Sequence, residues 1–122
     1  MKRIAAAIIV AAGRGERFGA PDKVFSDLAG KPMVAWSLDA FNSAQSIGEI
    51  ILVAGEHTLA LAQKLQGSDT WPKLRKVVVG GDRRQDSVLL GMQQVGSECS
   101  IVAIHDGARP LIETEAIDRC IA

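Results

Sequence analysis

The sequence predicts a layered α/β domain built on a mainly parallel sheet. Short β-branched apolar runs alternate with stretches of helical periodicity. The runs are apolar at consecutive positions, as strands covered on both faces are. The resulting order, βαβαβαβα, places a helix between each pair of strands, the pattern that builds parallel sheets. At 122 residues the chain is long enough for one domain with a real core, and with 48% apolar residues it is not a disordered segment.

The elements follow in order. Ile4 to Val10 reads as the first strand. The first helix starts at Pro32, a residue suited to the first helical position, and carries Val34, Leu38 and Phe41 on one stripe. Glu49 to Val53 reads as strand two, and the helix around Glu56 to Gln66 places Leu61 and Leu65 together. A polar loop from Gly67 to Lys73 contains Trp71-Pro72. Arg75 to Val79 reads as strand three. The next helix follows Asp82, which suits an N-cap, with Val88, Met92 and Val95 in line. Ser100 to Ile104 reads as strand four. A last helix begins near Glu113 and carries Ala116, Ile117, Cys120 and Ile121. Its apolar stripe is still running at Ile121 with no stop signal, which predicts that the chain is the front part of a longer protein.

Composition narrows the function classes. The 14 basic residues balance the 14 acidic ones, whereas a general nucleic-acid or membrane-surface binder carries a basic excess. Tyr is absent and aromatics are few, so there is no stacking platform for single strands. Cys99 and Cys120 have neither CxxC spacing nor a histidine at metal-site spacing. They read as reduced, mostly buried thiols, which fits a cytoplasmic location. No apolar stretch approaches the ~20 residues of a membrane span. The N-terminus, Lys2-Arg3 followed by an apolar run, resembles a short signal peptide, but cleavage there would destroy the glycine loop that follows.

Three clusters fall at the C-terminal ends of predicted strands, the edge where open α/β sheets bind ligands. The first is Ala11-Ala12-Gly13-Arg14-Gly15-Glu16-Arg17, with Lys23 beyond it. Glycines let the backbone approach a phosphate, and Arg17 and Lys23 supply the charge a polyphosphate needs. Phe18 stands where the dinucleotide fingerprint needs its third glycine, and no G-K-[ST] completes a Walker A loop. The second is Gly80-Gly81-Asp82-Arg83-Arg84-Gln85-Asp86-Ser87. Paired glycines expose backbone groups, and Ser87 falls in the first turns of a helix, so this set suits reading the edge of a base. The third is His105-Asp106-Gly107-Ala108-Arg109-Pro110. Asp106 suits Mg²⁺, which takes one or two carboxylates plus substrate phosphates. Arg109 suits a phosphate or the hold of its own loop. His105 reads as a packed or hydrogen-bonded histidine, because no Ser or Cys nucleophile stands in a motif with it.

In combination these motifs, with Gly30-Lys31-Pro32 between them, resemble the 2-C-methyl-D-erythritol 4-phosphate cytidylyltransferase family, in the right order and through the whole chain. The resemblance implies a Rossmann-like fold of the nucleotide-diphospho-sugar transferase type, here incomplete, with residues 1–122 forming the N-terminal CTP-binding part of a single nucleotidyltransferase domain. It implies Mg²⁺-dependent transfer of CMP from CTP to methylerythritol phosphate, releasing pyrophosphate, in the non-mevalonate route to isoprenoids. Arg17 and Lys23 would be catalytic. Ala11, Ala12, Gly13, Gly15, Gly81, Asp82, Ser87 and Arg109 would hold or shape the nucleotide site, and Asp106 would bind the metal. The partners implied are CTP and a sugar or polyol phosphate, with no nucleic acid and no membrane, and a homodimer for the full-length form.

Departures from the family pattern are local and global. Members usually read Pro-Lys-Gln after the first loop, whereas this chain reads Pro21-Asp22-Lys23-Val24. Members are also nearly twice as long, and their second half supplies another lysine, further substrate contacts and a dimerisation arm. Two other readings stay open at this level. One is a cytidylyltransferase for another sugar phosphate, such as ribitol 5-phosphate. The other is a nucleotide-binding but inactive fragment or module. A dehydrogenase is disfavoured by Phe18 and by Ala54-Gly55, which stand where an acid would hold the ribose.

Overall fold

A computed structural model describes residues 5–12, 27–28, 30–107 and 113–121. Four parallel strands form the main sheet: β1 (Ala5–Ala11), β4 (Ile47–Ala54), β5 (Leu74–Val79) and β6 (Ile101–Asp106), in the order β5-β4-β1-β6. A small antiparallel hairpin pairs β2 (Asp27–Leu28) with β3 (Lys31–Pro32). Gly30 makes its turn with φ +96°, a conformation that side-chain-bearing residues rarely adopt. Four helices complete the described structure: α1 (Met33–Ser43), α2 (Leu59–Gly67), α3 (Arg84–Met92) and α4 (Thr114–Ile121), with a 3₁₀ turn at Glu56–Thr58.

Strand alternation sorts the apolar residues onto the two faces of the sheet. Ala5, Ala7, Ile9, Ile50 and Leu52 pack under Val34, Leu38 and Phe41 of α1, with Ala62 of α2 and Ile117 and Ile121 of α4. Ile8, Val10, Ile51 and Val53 form the opposite layer, joined by Val88 of α3. Helices therefore cover both faces, as the sequence predicts. No helix among the described residues is long and apolar enough to cross a membrane.

Several local expectations are corrected. Strand two starts at Ile47, before Glu49, because that carboxylate is tolerated inside the strand. Glu49 is buried, and its Oε1 accepts the Gly96 N–H at 2.6 Å, so its polar demand is met. Strand four runs on through His105 and Asp106, which pair with Ile9 and Val10. Pro32 is the residue before α1, not its first residue, since it closes the hairpin. Arg83, not Asp82, caps α3: Asp86 reaches back to accept the Arg83 N–H at 3.3 Å. Leu61 and Met92 point outward, at 44% and 46% exposure. The inward positions of α3 are Ser87 and Gly91. A Cβ on Gly91 would lie 2.8 Å from Ile8 Cγ2, so the helix backbone lies too close to the sheet for a large residue there. The outer strands β5 and β6 are mostly half-buried rather than fully covered. Cys120 is exposed rather than buried, and Cys99 is half-buried, its thiol pushed up by burial and by the Glu49 carboxylate.

Helix α4 is tied to the turn after α1. Asp118 accepts the Ser46 hydroxyl and backbone N–H and the Gln45 N–H, and Thr114 Oγ1 donates to the Ala40 carbonyl at 3.0 Å. The Ser46 bonds hold the Asp118 carboxyl below the usual carboxylate range, with Lys73 adding a smaller attraction. A depressed folded-state value contributes stability that is present above the unfolded value, about 3.9, and is lost as pH falls through the folded one. Asp118→Asn is therefore expected to lower the thermal midpoint at pH 7 and to leave a much smaller difference from wild type at pH 2–3. Melting curves across that range check it, and a gap that stays constant with pH would refute it.

Candidate functional site

All four strands of the main sheet run parallel, so their C-terminal ends share one edge. At that edge stand Ala11 and Ala12 after β1, Gly55 after β4, Gly80 and Gly81 after β5, and Asp106 and Gly107 at the end of β6. The chain steps outward from β1 to β4 to β5, then crosses back to place β6 on the other side of β1. The crossover direction thus reverses between β1 and β6, and such a switch point opens a crevice at the strand ends. The register puts Asp106 beside Val10, and the Gly107 N–H donates to the Val10 carbonyl at 2.8 Å.

The turn after β5 is built against the end of β1. A Cβ on Gly80 would lie 2.4 Å from Ser87 Oγ and 2.6 Å from Ala12 Cβ. Glycine is therefore required here by space. This corrects one expectation about the paired glycines. Their amides are not free for a ligand, because the Gly80 N–H donates to the Ala54 carbonyl at 2.8 Å and the Gly81 N–H to Ser87 Oγ at 3.2 Å. Ser87 is 2% exposed, and its hydroxyl shapes the turn from inside. Asp82 is exposed just beyond it. The guanidinium of Arg83 hydrogen-bonds Asp86 and holds that carboxyl below its ordinary range, with Arg83 exposed and Asp86 partly so.

His105 faces away from this rim. Its Nε2 lies 3.1 Å from the buried Ser37 Oγ, and its ring packs on Phe41 at 5.1 Å between centroids. The packed role expected of it is what the structure shows. Asp106, on the adjacent position of the strand, is half-buried. Among the described residues no three His, Cys, Asp or Glu side chains group closely enough to enclose a metal by themselves. One carboxylate at the strand end fits a hard cation that arrives with a triphosphate, since Mg²⁺ takes most of its ligands from phosphates and water.

The structure thus brings Ala11, Ala12, Gly81, Ser87 and Asp106 to a single edge, with Asp82 next to it. Gly13, Gly15, Arg17, Lys23 and Arg109 lie outside the described residues. Two further residues belong to the rim. Gly55 approaches the Ala12 carbonyl, a Cβ there lying 3.6 Å from it, and Gly80 is the contact between turn and loop. The signal for both is a glycine directly after a strand; the sequence reading places Gly80 in its second cluster as one of the paired glycines and does not assign Gly55 to the site.

An open parallel sheet with glycine turns and one carboxylate at its switch point defines the class: an α/β domain of the nucleotidyltransferase type. Residues 5–122 match the family profile described as 2-C-methyl-D-erythritol 4-phosphate cytidylyltransferase, and the chain belongs to that family. The enzyme of that name from Dehalococcoides mccartyi strain 195 is 42% identical over 111 residues, covering 91% of this chain and 48% of its own length. That from Caldanaerobacter subterraneus subsp. tengcongensis is 44% identical over 117 residues, covering 94% and 52%. The chain spans about half the length of the curated relatives it matches. The crystal structure of 4-diphosphocytidyl-2C-methyl-D-erythritol synthase from Anaerococcus prevotii superposes with a TM-score of 0.80 at 25% identity, over 96% of this chain and 49% of that one.

Proposed function

We propose that this chain is the N-terminal CTP-binding part of a cytoplasmic cytidylyltransferase that moves CMP from CTP to 2-C-methyl-D-erythritol 4-phosphate. Its full-length form would act as a homodimer, without nucleic acid or membrane. The observation that carries the reading is the convergence of Ala12, the Gly80–Ser87 turn and Asp106 on one rim, in a chain of this family.

The chemistry needs no activated side-chain nucleophile. An oxygen of the acceptor phosphate attacks the α-phosphorus of CTP, the bond to the bridging oxygen breaks, and pyrophosphate leaves with that oxygen. Holding the two phosphates in line accounts for much of the rate. The remaining obstacle is repulsion between anions. Arg17 and Lys23 stabilise the charge that builds on the α-phosphate. Asp106 would hold Mg²⁺, which would supply positive charge against the triphosphate. Gly81, Asp82 and Ser87 shape the pocket for the cytosine, Ala11 to Gly15 follow the phosphates, and Arg109 supports the loop after β6.

Calorimetric titration with CTP and with ATP, with and without Mg²⁺, tests the reading. CTP is expected to bind at least about tenfold more tightly than ATP, a difference of roughly 1.4 kcal/mol, and only with Mg²⁺ at full strength. Equal affinities would remove the role of Gly81, Asp82 and Ser87 in shaping the pocket for the cytosine. Comparing methylerythritol phosphate with ribitol 5-phosphate as acceptor, in a chain of the relatives' length, separates the two cytidylyltransferase readings.

A further inference from the structure

The Gly30-Lys31-Pro32 motif has no part in the chemistry above, yet it forms the β2–β3 hairpin. Each strand of that hairpin is two residues long. So short a ladder cannot hold itself in water. Something outside it must, and the described contacts identify what. The Lys31 ammonium pairs with the Asp39 carboxylate of α1 and lies 4.0 Å from the centre of the Trp36 ring. The other oxygen of Asp39 accepts the Trp71 indole N–H at 2.7 Å. Trp71 is 8% exposed and packed in the core, so its indole N–H anchors one oxygen of the partly exposed Asp39 carboxylate. Lys31 is thereby held between an anchored anion and an aromatic face, two attractions that reinforce each other.

The sequence between β1 and this hairpin carries Arg17 and Lys23. We propose that Asp39 is a positioning residue: by docking Lys31 it fixes the point where the phosphate-binding stretch rejoins the fold, and so sets the grip on the triphosphate without touching it. This rests on the functional reading above.

The test compares CTP and CMP binding, each with Mg²⁺, in wild type, Asp39→Asn, Lys31→Met and Lys31→Arg. Asn keeps an oxygen for the Trp71 indole and removes only the charge. Met keeps an apolar stem over Trp36 and removes only the ammonium. Both are expected to weaken CTP roughly five- to tenfold, the scale of an ion pair plus a cation–π contact, and to leave CMP within about twofold. Lys31→Arg is expected to restore CTP affinity, since it keeps both partners. The two indole N–H signals, from the only tryptophans in the chain, show whether the fold around the network persists. Unchanged CTP affinity in both charge-removing variants overturns the proposal. So does an equal loss for CTP and CMP, which marks a general structural role. If wild type binds no CTP, the functional reading fails and this inference fails with it. If wild type binds and the variants match it, only the inference fails.

Discussion

Gly80→Ala is expected to weaken CTP binding by at least about tenfold and to lower the thermal midpoint by several degrees. The added methyl would sit 2.6 Å from Ala12 Cβ and 2.4 Å from Ser87 Oγ, with Val53 Cγ1 at 3.0 Å behind it. None of these neighbours can swing away. Ala12 has no rotamer to change, Ser87 is enclosed and bonded to the Gly81 N–H, and Val53 is fully buried. The turn must therefore move away from the end of β1. Overpacking of this kind costs about 1–3 kcal/mol of stability, and it separates the two loops on which the nucleotide site depends. Calorimetry with CTP and a melting curve measure both effects. Wild-type values in the two assays would show that the rim tolerates a wider gap and that its tight packing has no bearing on binding.

Asp106→Asn is expected to abolish most of the Mg²⁺ dependence of CTP binding. Asn is nearly isosteric, so the pairing of this position with Val10 survives and the fold is retained. The substitution removes the one charge that the end of β6 offers a hard cation. Loss of an oxygen anion that would ligate the cation should cost about 10- to 100-fold or more in metal affinity, the scale at which even outer partners of metal ligands act. The measurement is the ratio of CTP affinities with and without Mg²⁺. A ratio as large in the variant as in wild type would remove Asp106 from the metal role.

The fold was legible because its driving patterns are local. The apolar run of β1 and the stripe Val34, Leu38 and Phe41 predict buried elements, and all of them are buried except for the first residue of that run, which lies outside the described segment. What escaped was set by tertiary packing. Glu49 looks like a strand boundary until the Gly96 amide is seen to satisfy it. Leu61 and Met92 fit helical periodicity, but in α2 the buried place falls to Ala62, and α3 lies so close to the sheet that Gly91 takes the inward place of Met92. Asp82 suits an N-cap by residue type, and the bond from Asp86 to the Arg83 amide moves the helix start by one residue. The candidate site was legible as three motifs at strand ends. That the Gly80 and Gly81 amides are consumed by the fold was not, because their acceptors, Ala54 and Ser87, come from other elements. The network of Lys31, Asp39 and Trp71 joins positions distant in sequence and leaves no periodic trace.

The strand order has a consequence for how the chain is made. β1 is the central strand, yet its partners are synthesised long after it: Ile47 onward on one side, and Ile101 onward on the other. On a ribosome, the apolar β1 segment therefore waits with one or both hydrogen-bonding edges open until the residues from Ile101 onward have emerged. Pairing between such remote segments is slow, and unpaired strand edges invite aggregation. The sheet therefore closes around β1 only after some hundred residues have been made, and until then the nascent chain is a natural client for chaperones that shield exposed strands.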